Sequence, residues 1–250
     1  MSKKILAIVE GEKKEVKLLE RLSEIFITDS APAIVSYKSS LYKLYNYLHS
    51  YGDSLEDLDV LMVLKEHEPD EEKKKLFDDR YTDVLLIFDF DPQDEEFRVE
   101  RIRELMEFFN DSTDRGKLYI NYPMIEAFYH LRKDDCDTIS HHFKNVRFTL
   151  MELKKHLYKS CAANGGLTLD VKKMPKELLE EILYQHSCKA RYIIDGIYEP
   201  ELDFSQYRMR KLLDCQCQSL RNEGFAYVVS TCGFFVLENY GGQLEYVKYT

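Results

Sequence analysis

Two apolar runs that end abruptly in carboxylates constrain the fold of this chain more than any other feature. The first is Ile5-Leu6-Ala7-Ile8-Val9, followed at once by Glu10-Gly11-Glu12. The second is Val84-Leu85-Leu86-Ile87-Phe88, followed by Asp89-Phe90-Asp91. Runs of this length, rich in Ile, Val and Leu, read as strands buried on both faces, the kind found in parallel sheets. Open α/β sheets place their ligands beyond the carboxyl ends of such strands. Glu10, Asp89 and Asp91 therefore stand where a site is expected. Three carboxylates converging on one edge repel one another unless a cation joins them, and hard oxygen ligands suit Mg²⁺ or Mn²⁺.

The rest of the first half alternates in period. Residues 13–27 place Val16, Leu19, Leu22 and Phe26 at helical spacing, 33–37 read as a short strand, and 39–51 carry Leu41, Leu44, Tyr45 and Leu48 on one stripe behind a serine cap. Residues 60–64 are apolar throughout and fit a strand or a helix. Pro92-Gln93-Asp94-Glu95 reads as the acidic first turn of a helix running to about Asn110, and 117–120 as the strand after it. Such alternation implies a parallel sheet covered by helices. Beyond Pro123 the pattern turns mainly helical, over 124–131, 149–163, 176–193 and 205–222. Residues 225–237 and 243–249 are rich in β-branched and aromatic side chains. With Asn239-Tyr240-Gly241-Gly242 between them they read as a terminal β-hairpin. The expected organisation is a catalytic α/β domain over 1–135 and a helical region with that hairpin over 136–250, binding substrate, a sister subunit or a partner.

The chain has 250 residues and a formal net charge of −10, which argues against a protein that coats nucleic acid unaided. It does not exclude a nuclease, since carboxylates that hold metal count as negative until the metal arrives. No run approaches the roughly 18 apolar residues of a membrane span. Met1-Ser2-Lys3-Lys4 leads directly into a strand, so a soluble, cytoplasmic protein without a signal peptide is expected. The six cysteines lack metal or redox spacing and read as reduced thiols. His141-His142 reads as a solvated turn or helix start. The basic clusters at 73–75, 154–155 and Arg208, Arg210, Lys211 read as solvated helix faces before phosphate tracks.

Val9-Glu10-Gly11 after one strand, with Asp89-Phe90-Asp91 after a later one, resembles the Toprim (topoisomerase–primase) domain. The longer string Val9-Glu10-Gly11-Glu12-Lys13-Lys14-Glu15 is similar to the nucleases of the OLD family. It also resembles the small stand-alone Toprim effectors of anti-phage defence, among them abortive-infection proteins and the Toprim subunit of the phage anti-restriction-induced system. The resemblance covers about residues 3–130 and rests on three core residues in strand context. It implies a Toprim-like fold and a Mg²⁺- or Mn²⁺-dependent nuclease acting on DNA or RNA. Glu10 would be a ligand or acid–base group, Asp89 and Asp91 would hold metal, and Gly11 would let backbone approach a phosphate. It also implies a separate ABC-type ATPase partner, consistent with a sequence that has no Walker A motif, and allows a homodimer.

Glu126, in Asn121-Tyr122-Pro123-Met124-Ile125-Glu126, either adds a carboxylate to the same edge or only caps the next helix. Asp94 and Glu95 face the same two readings, with capping preferred. Glu12 and Glu15 read as helix starters, Glu15 with the option of orienting water. Lys117 and Lys248 read as surface lysines, with phosphate stabilisation as the alternative. Two other functions fit the pattern: a metal-binding Toprim module that scaffolds a partner without cutting, and a phosphatase or phosphotransfer domain holding one Mg²⁺. The latter leaves Val-Glu-Gly without a role.

Overall fold

The computed structural model describes residues 4–27, 31–52, 54–132 and 142–241. The chain divides into two compact units, 1–88 with 98–119, and 89–97 with 120–250. The fold is α/β, with a mostly parallel sheet flanked by helices.

In the first unit, strand β1 (Ile5–Val9) is buried along its whole length. Helix α1 (Lys14–Phe26) follows, turning Leu18, Leu19, Leu22 and Phe26 inward at helical spacing. Strand β2 (Ala33–Ser36) pairs with β1 in parallel, Leu6 opposite Ala33. Helix α2 (Leu41–His49) begins behind Ser40, whose side chain accepts from Lys43 N, so the predicted serine cap is present.

The ambiguous run at 60–64 is helical, as α3 (Val60–His67). Asp59 decides this by accepting Met62 N at 3.1 Å, a cap that starts a helix where periodicity alone is silent. After α4 (Glu71–Lys74), strand β3 (Asp83–Asp89) lies parallel to β1, with Ile5 opposite Asp83 and Val9 opposite Ile87. Helix α5 (Val99–Phe108) buries Val99, Ile102, Leu105, Met106 and Phe108. Strand β4 (Asn110–Asp111) then pairs antiparallel with β5 (Gly116–Tyr122).

The strand order is β2-β1-β3-β5-β4. From β1 the chain moves to β2 on one side, and from β3 it moves to β5 on the other. The order thus reverses between β1 and β3, and open α/β sheets place their binding crevice at the carboxyl ends of the strands at such a reversal.

In the second unit, α6 (His142–Asn145), β6 (Arg147–Thr149), α7 (Leu150–Lys154), α8 (Tyr158–Gly165), α9 (Lys176–Asp195) and α10 (Gln206–Glu223) give the expected helical character. The helix predicted over 149–163 is two helices, and the one over 124–131 is a 3-10 turn, Ile125–Tyr129. Strand β7 (Phe225–Tyr227) pairs antiparallel with β6, and β8 (Val229–Ser230) pairs antiparallel with the end of β5. Strands thus occur near the C-terminus, but 234–237 belong to helix α11 (Phe234–Tyr240). An apolar run buried on every side fits either period. Here Val236 N donates to Gly233 O at 3.0 Å and Asn239 Nδ2 to Phe235 O at 2.9 Å, which favours helix. The second arm of the expected hairpin, 243–249, lies outside the described residues.

Among the described residues no helix is long and apolar enough to cross a membrane. Cys161, Cys188, Cys215, Cys217 and Cys232 are free thiols, and Cys136 and His141 lie outside the described residues. His142 opens α6 and is exposed.

Candidate metal centre

Glu10 is the first residue past β1, and its backbone is fixed on both sides. Its N–H donates to Ile87 O at 3.1 Å and its carbonyl accepts from Lys38 N at 3.0 Å. Lys38, at φ 61°, carries the chain out of β2, and its ammonium pairs with Glu12 at 2.6 Å. That pairing holds the Glu12 carboxyl below the usual range, so Glu12 is engaged by Lys38. Glu15 is buried beside Gly11. A Cβ on Gly11 would lie 2.4 Å from Glu15 Oε2, so the space that glycine keeps open is filled by the Glu15 carboxylate.

Asp89 ends β3. Its Oδ1 accepts from Asn121 Nδ2 at 3.1 Å, and Asn121 Oδ1 accepts from Ser230 Oγ at 2.6 Å. Asn121 is fully buried, so this chain of hydrogen bonds runs from the protein interior to the carboxylate. Phe90 plugs the core against Tyr122 and Phe97, with ring centroids 4.9 and 5.4 Å away. Its N–H reaches Asn121 O and Pro123 O, both at 3.0 Å. Asp91 then turns at φ 35°, donating its N–H to Pro123 O and accepting from Gln93 Nε2 at 2.9 Å. Burial raises the Asp91 pKa, opposed by the Gln93 hydrogen bond and the charge of Lys159; Asp94 and Glu126 raise it further.

The result is one acidic cluster. Glu10, Asp89 and Asp91 each offer a carboxylate oxygen, and these oxygens all lie within 4.8 Å of one another. An octahedral ion with bonds of about 2.1 Å needs oxygens roughly 3 Å apart when adjacent and roughly 4.2 Å apart when opposite. The 4.8 Å bound lies above both values, so the three oxygens are grouped closely enough for an ion to draw them together, and an all-carboxylate donor set suits Mg²⁺ or Mn²⁺ over softer metals.

Glu126 is not one of the three. It is buried in the 3-10 turn Ile125–Tyr129 and acts on Asp91 through charge. Asp94 caps no helix, because 92–98 form turns and α5 starts at Val99. Its carboxylate accepts Glu96 N at 2.8 Å and its carbonyl accepts Phe97 N at 3.1 Å, which closes the chain into tight turns where a helix was expected. Glu95, expected beside it in that helix, is an exposed residue of the same turns.

Lys117 is buried, contrary to the surface position expected of it, with Nζ 5.7 Å from the Tyr119 ring centroid. It lies four residues before Asn121 on β5, roughly 13 Å along the strand. That distance removes it as a phosphate stabiliser here. Lys248 lies outside the described residues.

Two of the basic clusters contain cations committed to other partners. Lys74 and Lys75 pair with Glu71 and Glu72, and Arg208 joins Asp195 at 2.5 Å and the buried Glu201. The residues that sequence reasoning left without a role are Asn121, Ser230 and Gln93. A buried asparagine closing an apolar strand was the available signal for the first. Ser230 had none, since it reaches the site only through β8 pairing with β5.

Comparison of the chain with protein-family models, with curated proteins and with solved structures returns no match.

Proposed function

We propose that the chain is a divalent-metal-dependent nuclease, hydrolysing phosphodiester bonds in DNA or RNA, tRNA included. The observation that carries the reading is the convergence of the Glu10, Asp89 and Asp91 oxygens within 4.8 Å. They meet beyond the carboxyl ends of β1 and β3, where the strand order reverses. The resemblance of Val9-Glu10-Gly11 and Asp89-Phe90-Asp91 to Toprim motifs supports the same chemistry. It is also the basis for proposing an effector in anti-phage defence that works beside a separate ATPase subunit.

Glu10, Asp89 and Asp91 would hold Mg²⁺ or Mn²⁺. Bound there, a divalent ion supplies neutralisation of charge developing on the phosphodiester oxygens and activation of water. Asn121 holds one oxygen of Asp89, and Gln93 holds one oxygen of Asp91. The Lys38–Glu12 pair and the Ile87 carbonyl hold the Glu10 loop in place. Glu126 adds negative charge beside Asp91 and is the proposed further carboxylate of the site.

The test is cleavage of plasmid DNA and of tRNA with Mg²⁺ or Mn²⁺, comparing the wild type with Glu10→Ala and Asp89→Ala. Loss of at least about 100-fold in rate is expected in both variants, the scale seen when an electrostatic stabiliser is removed. Variants that cut like the wild type would sink the nuclease reading. A wild type that binds the ion but cuts neither substrate would leave a metal-binding scaffold in its place.

A further inference from the structure

A cavity of about 330 Å³ opens beside the Glu10 loop, at the carboxyl ends of β1 and β2, and none of the steps above uses it. Its volume is at the small end of the range for pockets that enclose organic ligands. Ile8, Leu64 and Phe77 give it apolar walls. Tyr37 and His67 form an aromatic edge, with ring centroids 4.8 Å apart and planes inclined by 31°. Ser36 lines it as well, 95 % buried, and its Oγ has no hydrogen-bond partner. A buried hydroxyl without a partner is costly, and a ligand that bonds to it recovers that cost. Glu68 is buried at the same cavity. One of its oxygens accepts from Asp70 N at 3.0 Å, and a carboxylate has capacity for further donors.

We propose that this cavity is a nucleobase site belonging to the same centre, a proposal that rests on the nuclease reading for its biological role but not for its binding chemistry. A planar ring fits between an aromatic edge and an aliphatic wall. Ser36 Oγ can bond to a ring nitrogen or carbonyl, and Glu68 can accept from an exocyclic amine. A phosphate does not suit the cavity. Its one ammonium, Lys38, is already bound to Glu12, and Glu68 would repel an anion. The Lys38 N–H bonded to the Glu10 carbonyl at 3.0 Å joins the cavity wall to the metal-ligand loop. A base held here fixes which nucleotide lies next to the carboxylates. Glu68 placed to accept from an exocyclic amine favours adenine, cytosine or guanine over uracil, whose base-edge donor is N3–H alone.

The experiment is titration of the full chain, without divalent metal, with adenosine, cytidine, guanosine and uridine, by calorimetry. Wild type, Ser36→Val, Glu68→Gln and Glu10→Gln are compared, with circular dichroism confirming that each is folded. At least one amine-bearing nucleoside should bind at submillimolar concentration, and uridine at least tenfold more weakly. Ser36→Val should lose tenfold or more, Glu68→Gln should lose the discrimination against uridine, and Glu10→Gln should bind as the wild type. The proposal is overturned if no nucleoside binds at millimolar concentration, or if folded Ser36→Val and Glu68→Gln bind like the wild type. The two readings fail separately. A protein that binds nucleosides and cuts nothing loses only the nuclease reading, and one that cuts but binds no nucleoside loses only this site.

Discussion

Replacing Asn121 with alanine tests whether Asp89 is positioned from inside the protein. Asn121 is fully buried and donates to Asp89 Oδ1 at 3.1 Å while accepting from Ser230 Oγ at 2.6 Å. A hydrogen bond to a charged group contributes about 1.5–3 kcal/mol. At about 1.4 kcal/mol per decade, that corresponds to roughly 10- to 150-fold in affinity for an ion that requires Asp89 in this orientation. Groups that orient metal ligands elsewhere account for about 10–100-fold, which overlaps most of that range. Asn121→Ala should therefore weaken Mn²⁺ binding by one to two orders of magnitude in calorimetry of the full chain. It should also cost about 1–3 kcal/mol of stability in urea melts, because Ser230 Oγ loses its acceptor. Asn121→Asp separates position from charge. It keeps the acceptor for Ser230 but sets a second carboxylate 3.1 Å from Asp89. The repulsion is on the order of 5 kcal/mol at an effective dielectric of about 20. That variant should be destabilised without metal and rescued by Mn²⁺. A folded Asn121→Ala protein that binds Mn²⁺ within twofold of the wild type refutes the positioning argument.

Gly11→Ala places a Cβ 2.4 Å from Glu15 Oε2, the far end of a flexible side chain that can rotate aside, so it should destabilise by about 1 kcal/mol at most, and adding Glu15→Ala should restore that loss. Additive melts of the double variant would show that Glu15 is not the clash. Gly116→Ala meets both a backbone at φ +114° and a Cβ 2.6 Å from Leu86 Cδ1. Strain and overpacking together predict a loss of roughly 2–6 kcal/mol; a melting temperature within 2 °C of the wild type would contradict it. His186 accepts Ser230 N on Nδ1 at 3.0 Å and faces Phe128 O with Nε2 at 3.3 Å, and burial pushes its pKa down to about 3. The unfolded imidazole takes up its proton near pH 6.5 while the folded one resists, so stability falls as pH drops from about 6.5 toward 3, by up to about 1.4 kcal/mol per pH unit. His130, lowered to about 4 mainly by burial, adds to the same window. Urea melts between pH 7.5 and 5 should show a shallower slope in His186→Gln, by about one proton; an unchanged slope would contradict the assignment.

The parts of this architecture that were legible in the sequence are those set by local chemistry. The fully apolar β1 and the body of β3 announce buried strands, and α1, α2 and α5 announce themselves by inward residues at helical spacing. Two things escaped because competing local bonds decide them. Residues 92–95 look like a helix start, yet Asp94 uses its carboxylate and its carbonyl in turn bonds, and the helix is delayed to Val99. Residues 234–237 look like a strand, yet they are buried on every side, where period two and period 3.6 cannot be told apart. Lys117 was misplaced for a third reason: a lysine in a strand is polar by type, but its stem packs as hydrocarbon and its charge lies near an aromatic ring.

The site itself divides along the same line. Its three carboxylates were visible because Glu10 directly follows one strand, Asp89 ends another and Asp91 stands two residues beyond it, and strand ends at a reversal of sheet order are where ligands go. Their convergence was not fully implied by the Asp-x-Asp spacing. Period two aims residues 89 and 91 alike only while the strand continues, and β3 stops at Asp89. What carries Asp91 into place is the residue between. Phe90 is fully buried against Tyr122 and Phe97, and the backbone N–H groups of Phe90 and Asp91 both donate to the Pro123 carbonyl. The acidic cluster therefore depends on an apolar side chain at 90 and on a carbonyl 32 residues downstream of Asp91. A chain with the same three acids and a polar residue at 90 would leave Asp91 on a loose turn, without the geometry that a divalent ion requires.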